Sequence, residues 1–280
     1  MPTPSAFITE PPRSLAAWAD LFEADALPVL ASTAETLAQL RVDEDRVDAH
    51  GLAEQIGDDP LLTLRLLAHV SALRRGREGG EIETVTEALV MLGIPPFFRA
   101  FDAPATVEGL LADQPEALAG LQGVLARSNR AARFAIAFAA HRLDHDAAVI
   151  REAALLHDFA ELLLWLRAPA LASEIARRQR ADPALRSAEA QRQLLNITLA
   201  ELQHLLMQRW RLPSLLVSIT DEAGGGNAQV RNVLLAIRVA RHSAAGWDNP
   251  ALPDDVHDIA GLLNLGLEPT WRLLKEIDSD

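Results

Sequence analysis

The chain has 280 residues, of which 49% are hydrophobic and none is cysteine. This composition is sufficient for a large buried core without disulfides, and it excludes thiolate metal sites and thiol catalysis. The 26 basic and 39 acidic residues give a net charge of −13, which repels the backbone of nucleic acids. No apolar run reaches the roughly 18 residues of a membrane-spanning helix. We therefore expect a cytoplasmic protein with neither a nucleic-acid nor a membrane partner.

Two clusters of arginine interrupt the acidic composition. Both are interpreted as solvated helix ends, because isolated charge clusters on helices usually face water, and the alternative is a phosphate-binding patch. The clusters consist of Arg74, Arg75 and Arg77, and of Arg177, Arg178 and Arg180.

The N-terminal segment is rich in proline, with four prolines among the first twelve residues. Proline disfavours regular structure, so residues 1–20 are expected to form a loose leader. Residues 21–280 are predicted to form one domain of two helical lobes, about 21–103 and about 104–280. The hinge between them is placed at Asp102–Pro104, where the pattern of helices is broken.

Helix signals follow one another along the first lobe. A helix is predicted from Pro60 because apolar residues recur at helical spacing after it, and Asp59 is the expected N-terminal cap. Thr84 and Glu87 have the spacing of a capping box, and Gly93 is expected to end the short helix that they begin.

The second lobe shows the same periodicity. Pro95-Pro96 should open a helix, and a long helix is predicted from Pro115 to about Leu143, with Asp144 as the cap of the next one. No segment alternates apolar and polar residues for long enough to indicate a strand. The fold class predicted from the residues is all-α.

Several segments in a fixed order resemble the HDOD domain, a degenerate relative of the HD-domain metal-dependent phosphohydrolases found in bacterial signalling proteins. The resemblance covers about Leu27–Ala245 and implies a multi-helix fold with an N-terminal helical lobe and a C-terminal HD-like lobe. It rests on Leu27-Pro28, LAEQIGDDPLLTLRLL (52–67), EALVMLGI (87–94), AALLHDFAELLLWL (153–166) and QRWRLPSLL (208–216).

The resemblance also implies which residues would hold a metal. HD phosphohydrolases bind their ions with an early His, an adjacent His-Asp pair and a later Asp. The pair is present here as His157 and Asp158, but Arg127, Ser128 and Asn129 stand where the early His is expected.

Three further positions depart from the family's pattern. Its usual Asn-Ser is Val70-Ser71 here, and Leu199 stands where relatives often carry a His. Where a His-His pair is common, the chain has Asp221 and Glu222, which are considered as additional metal ligands. A bound divalent ion needs several convergent ligands, so no metal, no cofactor and no catalytic residue is assigned, and the His-Asp pair is interpreted as vestigial and structural.

A second histidine pair was considered as a zinc site. His141 and His145 are four residues apart, but Asp144 between them is expected to begin a new helix, and the glutamate and third ligand of a zinc protease are missing. We interpret both as surface histidines.

The resemblance implies a non-enzymatic, regulatory signal-transduction protein of bacterial origin. It would act by binding a protein partner, or a small ligand in the cleft between the lobes, through residues that the sequence does not identify. An exposed apolar patch or groove is expected around Pro95–Pro104 as the docking surface. The alternative is a metal-dependent phosphohydrolase or nucleotide phosphodiesterase with an atypical HD site. A third interpretation is a scaffold that acts only in assembly.

Overall fold

The computed structural model of the protein describes residues 7–74, 80–182, 184–219 and 227–279. Over these residues the chain is built from α-helices, with one isolated parallel bridge between Val29 and Thr106. The predicted all-α class is therefore confirmed. No helix in the described part of the chain is both long and apolar enough to span a bilayer. Four residues discussed above lie outside the described residues: Arg75, Arg77, Asp221 and Glu222.

The α-helices are numbered in chain order. They are α1 (Leu15–Ala19), α2 (Ala31–Arg41), α3 (Ala49–Ile56), α4 (Pro60–Leu73), α5 (Val85–Leu92), α6 (Ile94–Ala100), α7 (Val107–Leu110), α8 (Pro115–Arg142), α9 (Ala147–Leu156), α10 (Phe159–Arg167), α11 (Pro169–Ala181), α12 (Ser187–Leu195), α13 (Leu199–Trp210), α14 (Ser214–Ile219), α15 (Ala228–His242), α16 (Leu252–Leu263) and α17 (Leu267–Ser279).

The chain divides into two compact units. The first unit comprises Met1–Val124 and Phe159–Leu212, and the second comprises Leu125–Asp158 and Pro213–Asp280. Helix α8 therefore contributes its N-terminal part to the first unit and the remainder to the second. These units are not the two lobes expected from the sequence, and the lobe boundary near residue 103 stays a prediction.

The segment before residue 20 is more ordered than the proline content suggested. Ser14 caps α1 through a hydrogen bond from the N–H of Ala17, 3.2 Å long. Trp18 is fully buried, and its indole N–H donates to the carbonyl of Leu195 over 2.9 Å. Residues 15–19 thus differ from the expected loose leader, because one large aromatic side chain anchors them to the first unit.

The predicted start of α4 and both predicted ends of α5 are confirmed. Asp59 caps α4 by accepting hydrogen bonds from the N–H groups of Leu61 and Leu62, and Pro60 occupies the first turn. Thr84 caps α5 and Gly93 follows its last residue with φ of 81°, a conformation that glycine adopts without strain. The expected capping box is only half formed, since the carboxylate of Glu87 accepts from the N–H of Glu83.

The long helix α8 is confirmed, but the expected role of Asp144 is wrong. The N-cap position of α9 is occupied by Asp146, whose side chain makes no capping hydrogen bond, while the carboxylate of Asp144 accepts a hydrogen bond from Nε of Arg142, 3.0 Å away. The reason is local. The chain leaves α8 through Leu143 in the left-handed region, and the N–H of Asp144 still bonds back to the carbonyl of Ala139.

Leu143 offers a simple test of this helix end. Its φ is 58° and its side chain is 84% exposed, so it carries backbone strain without packing in return. We expect Leu143→Gly to raise the free energy of unfolding by about 0.5–1 kcal/mol, since relief of the left-handed strain exceeds the added entropy of the unfolded chain. Urea unfolding measures this, with Leu143→Ala as the control that keeps Cβ. A glycine variant no more stable than the alanine variant would contradict the expectation.

The aromatic residues of the range Pro95–Pro104 do not contribute to the exposed apolar patch or groove expected there. Of the large apolar residues that are exposed in the described chain, none lies in this range. Phe97, Phe98 and Phe101 are buried, with ring centroids of Phe97 and Phe101 4.8 Å apart in a stacked arrangement. The aromatic side chains of this segment are thus directed into the core of the first unit, and a docking surface near this range stays a prediction.

Candidate functional site

The His-Asp pair lies at the C-terminal end of α9, in the second unit. His157 follows the last residue of that helix, and its Nδ1 lies 3.0 Å from Oδ1 of Asp158. Both side chains are mostly buried, with exposed fractions of 22% and 14%. The imidazole therefore acts first as a hydrogen-bond partner of the neighbouring carboxylate.

Two arginines from other helices face the same carboxylate. Nε of Arg127, on α8, donates to Oδ2 of Asp158 over 3.0 Å, and Nη2 of Arg241, on α15, lies 3.7 Å from Oδ1. Burial disfavours the charged form of this carboxyl group. The hydrogen bond from His157 and the charges of His157, Arg127 and Arg241 outweigh burial and hold the pKa of Asp158 well below its usual range. We call these four residues the Asp158 cluster.

One member of the cluster stands near the position where the resemblance places the early histidine of the HD pattern. This residue is Arg127, and the structure brings it into contact with Asp158. The guanidinium thus places a positive charge beside this carboxylate. The substitution was visible in the sequence, but its contact with Asp158, 31 residues away, was not.

No convergent metal ligand set is seen in the described chain, where His, Asp and Glu side chains nowhere gather in groups of three or more that could hold an ion. The proposed extra ligands Asp221 and Glu222 belong to residues that are not described. His141 lies in the last turn of α8 and His145 in the connection to α9, and both are exposed, as expected for surface histidines.

A second charged cluster in the same unit was missed by the sequence analysis. The carboxylate of Asp255, on α16, is fully buried and accepts hydrogen bonds from Arg238 and His242 of α15. Nη1 of Arg238 also donates to Asp258 over 2.9 Å. Arg238 and His242 are one turn apart, as are Asp255 and Asp258, so paired helical spacings were the available signal. The cluster joins α15 to α16.

The all-helical fold and the surviving His-Asp pair define a protein related to the HD class. The model of the HDOD domain matches residues 27–223, which is more than half of the chain. The chain therefore belongs to the HDOD domain family. Among curated proteins no match is found.

Three solved structures illustrate the similarity of fold. The MmoQ response regulator from Methylococcus capsulatus str. Bath is 24% identical, with a TM-score of 0.69 over 90% of this chain and 99% of that chain. A virulence factor from Campylobacter jejuni subsp. jejuni is 18% identical, with a TM-score of 0.66 over 94% and 98% of the two chains. An HDOD domain protein of unknown function from Geobacter sulfurreducens is 18% identical, with a TM-score of 0.50 over 95% and 92%. At these identities the similarity concerns the fold.

Proposed function

We propose that the protein is a non-enzymatic regulatory module of bacterial signal transduction, acting in the cytoplasm by binding a protein partner or a small ligand. The observation that carries the proposal is the ion pair between Arg127 and Asp158, with 3.0 Å between Nε and Oδ2. The carboxylate of the HD pair is the group that metal chemistry would need in these relatives. In this protein the side chain of Arg127 already forms an ion pair with that carboxylate.

The energetics of the Asp158 cluster favour this interpretation. A divalent ion at Asp158 would have to displace the guanidinium of Arg127 and would lie close to the positive charge of Arg241. Breaking a largely buried ion pair leaves one charge without compensation, which typically costs a few kcal/mol. The pair would then serve to hold α8 against the end of α9, and regulation would depend on surfaces elsewhere. The response regulator from Methylococcus capsulatus shares the fold and agrees with a signalling role.

The first test of the proposal is metal content. We expect well below one equivalent of iron, manganese or zinc in protein purified without chelator, because Arg127 and His157 already surround the carboxylate of Asp158. Elemental analysis measures this, with His157→Ala as the matched variant. Near one equivalent in the unmodified protein, lost in the variant, would contradict the proposal and favour the metal-dependent phosphohydrolase or phosphodiesterase.

A second test concerns nucleic acid. Arg177 and Arg178 both donate to the carboxylate of Glu174, over 2.7 and 2.8 Å, and these bonds lower the pKa of Glu174 to about 2. Part of the basic charge on α11 is thus already compensated. We expect no micromolar binding of duplex or single-stranded DNA or RNA at about 50 mM salt, where electrostatic binding is strong. Fluorescence anisotropy measures it, and tight binding that weakens steeply with salt would contradict the expectation.

A further inference from the structure

A cleft of about 250 Å³ opens in the first unit beside the C-terminal end of α13. Its walls come from three parts of the chain: a 3-10 turn at Ala24–Ala26 with the preceding residue, the second half of α4, and the residues at the end of α13. The volume is below the roughly 300–1,000 Å³ of sites for drug-sized ligands. The space therefore suits a molecule of the size of a single amino acid.

The apolar part of the cleft is formed by two alanines and an aromatic ring that packs on the core. Ala68 and Ala72 lie one turn apart on α4 and line it together with Trp210. The indole ring of Trp210 packs against Phe159, with 5.9 Å between the ring centroids. A fixed aromatic ring beside two methyl groups provides a surface for an apolar or aromatic group of a ligand.

Arg211 is held at the edge of the cleft by its backbone. It follows α13 in the left-handed conformation, with φ of 52°, and its carbonyl accepts a hydrogen bond from the hydroxyl of Ser71 over 3.1 Å. The left-handed region costs a residue with a side chain about 1–2 kcal/mol. The hydrogen bond from α4 thus helps to keep a strained residue in place beside Trp210.

The charges that line the cleft are of both signs. Arg209 is paired with Asp20, and Asp25 lies 3.3 Å from Nδ1 of His69. The two remaining charged residues, Glu23 and Arg211, form no ion pair within the described residues. The cleft therefore offers one unpaired carboxylate and one unpaired guanidinium beside an apolar floor.

This combination selects the chemistry of the ligand. The charges of Glu23 and Asp25 offset those of Arg209 and Arg211, so the cleft has no net attraction for a phosphate or for a metal cation. A molecule that carries one positive and one negative group satisfies both unpaired residues. We infer that the cleft binds a free zwitterion of the α-amino-acid type, with its carboxylate at Arg211, its ammonium at Glu23 and its side chain against Trp210.

This inference rests on the proposed regulatory function, for which it names the class of small ligand. The two can fail separately. Metal content and hydrolytic activity test the Asp158 cluster in the second unit, whereas ligand titration tests residues of the first unit only.

The experiment is a titration of the full-length protein, labelled with ¹⁵N at tryptophan, and followed through the indole N–H signals. The signal of Trp210 is assigned with Trp210→Phe. Each standard amino acid is added singly to about 10 mM, enough to detect a millimolar dissociation constant. L-phenylalanine is compared with 3-phenylpropanoate, which lacks the ammonium group, and with 2-phenylethylamine, which lacks the carboxylate.

We expect at least one amino acid of apolar side chain to shift the Trp210 signal saturably. Each analogue lacking one charge should bind about tenfold or more weakly, the usual loss for a charged hydrogen bond. Arg211→Gln should weaken the binding of L-phenylalanine without changing the affinity for 2-phenylethylamine. Glu23→Gln should weaken the binding of L-phenylalanine without changing the affinity for 3-phenylpropanoate. Arg99→Gln, which removes an exposed charge on α6, is the matched control and should have no effect.

Three results would overturn the inference. The first is the absence of any shift at Trp210 with every amino acid. The second is equal binding of L-phenylalanine and its two analogues. The third is unchanged affinity in both Arg211→Gln and Glu23→Gln.

Discussion

Asp59→Ala is expected to lower the free energy of unfolding by about 3–5 kcal/mol, well above the roughly 1 kcal/mol of an ordinary helix cap. The carboxylate is 1% exposed and accepts three backbone N–H groups. Oδ1 binds Leu61 and Leu62 at the start of α4, and Oδ2 binds Leu30, over 2.8 Å, at the start of α2. Removal of the carboxylate leaves two buried donors and one part-buried donor without this acceptor.

Asp59→Asn is the matched variant for this prediction. An asparagine keeps one oxygen for Leu61 and Leu62, but its amide group would face the N–H of Leu30, so a donor would meet a donor. The free energy of unfolding of the asparagine variant should therefore lie between those of the native protein and the alanine variant. Urea unfolding of the three proteins measures the series. Equal stability of the alanine and asparagine variants would show that the hydrogen bond to Leu30 carries the whole effect. A loss of only about 1 kcal/mol in the alanine variant would contradict a role of Asp59 beyond capping α4.

Asp158→Ala is expected to cost about 2–3 kcal/mol at neutral pH. Breaking a buried ion pair costs roughly 3–5 kcal/mol, and the value is reduced here because the partners retain access to water. The side chain of Arg127 is 21% exposed and that of Arg241 is 56% exposed. Asp248→Ala, at an exposed position of the same unit, is the control and should leave stability unchanged.

The contribution of Asp158 should also depend on pH in a defined direction. The pKa of Asp158 in the folded protein lies below its value of about 3.9 in an unfolded chain. The stabilisation is therefore fully present above pH about 4 and is lost as the pH falls below that value towards the pKa in the folded state. Urea unfolding of the native protein and Asp158→Ala between neutral and acidic pH measures the difference. A difference that does not shrink below pH about 4 would show that the ion pair is not its cause.

Local interactions account for what could be predicted from the sequence. The start of α4 at Asp59-Pro60 and the length of α8 depend on residues three or four positions apart, so their signals are contained in short segments. The ordered motifs from Leu27 onward likewise indicated the family, which the match over residues 27–223 confirms. The His-Asp pair was recognised for the same reason, since its two members are adjacent.

Packing between distant segments decided the rest. Trp18 binds Leu195 across 177 positions in the sequence, and Arg127 reaches Asp158 across 31. The cleft likewise brings Glu23 and Arg211 together from opposite parts of the chain, and α6 buries its aromatic residues in the core of the first unit. Periodicity shows which face of a helix is apolar but not which helix covers it, because that depends on the angles and distances at which helices pack. The sequence by itself therefore determined the helical class, the family, the start of α4, both ends of α5 and the extent of α8. Only the tertiary structure showed that the charge of Asp158, the aspartate of the His-Asp pair, is compensated by Arg127.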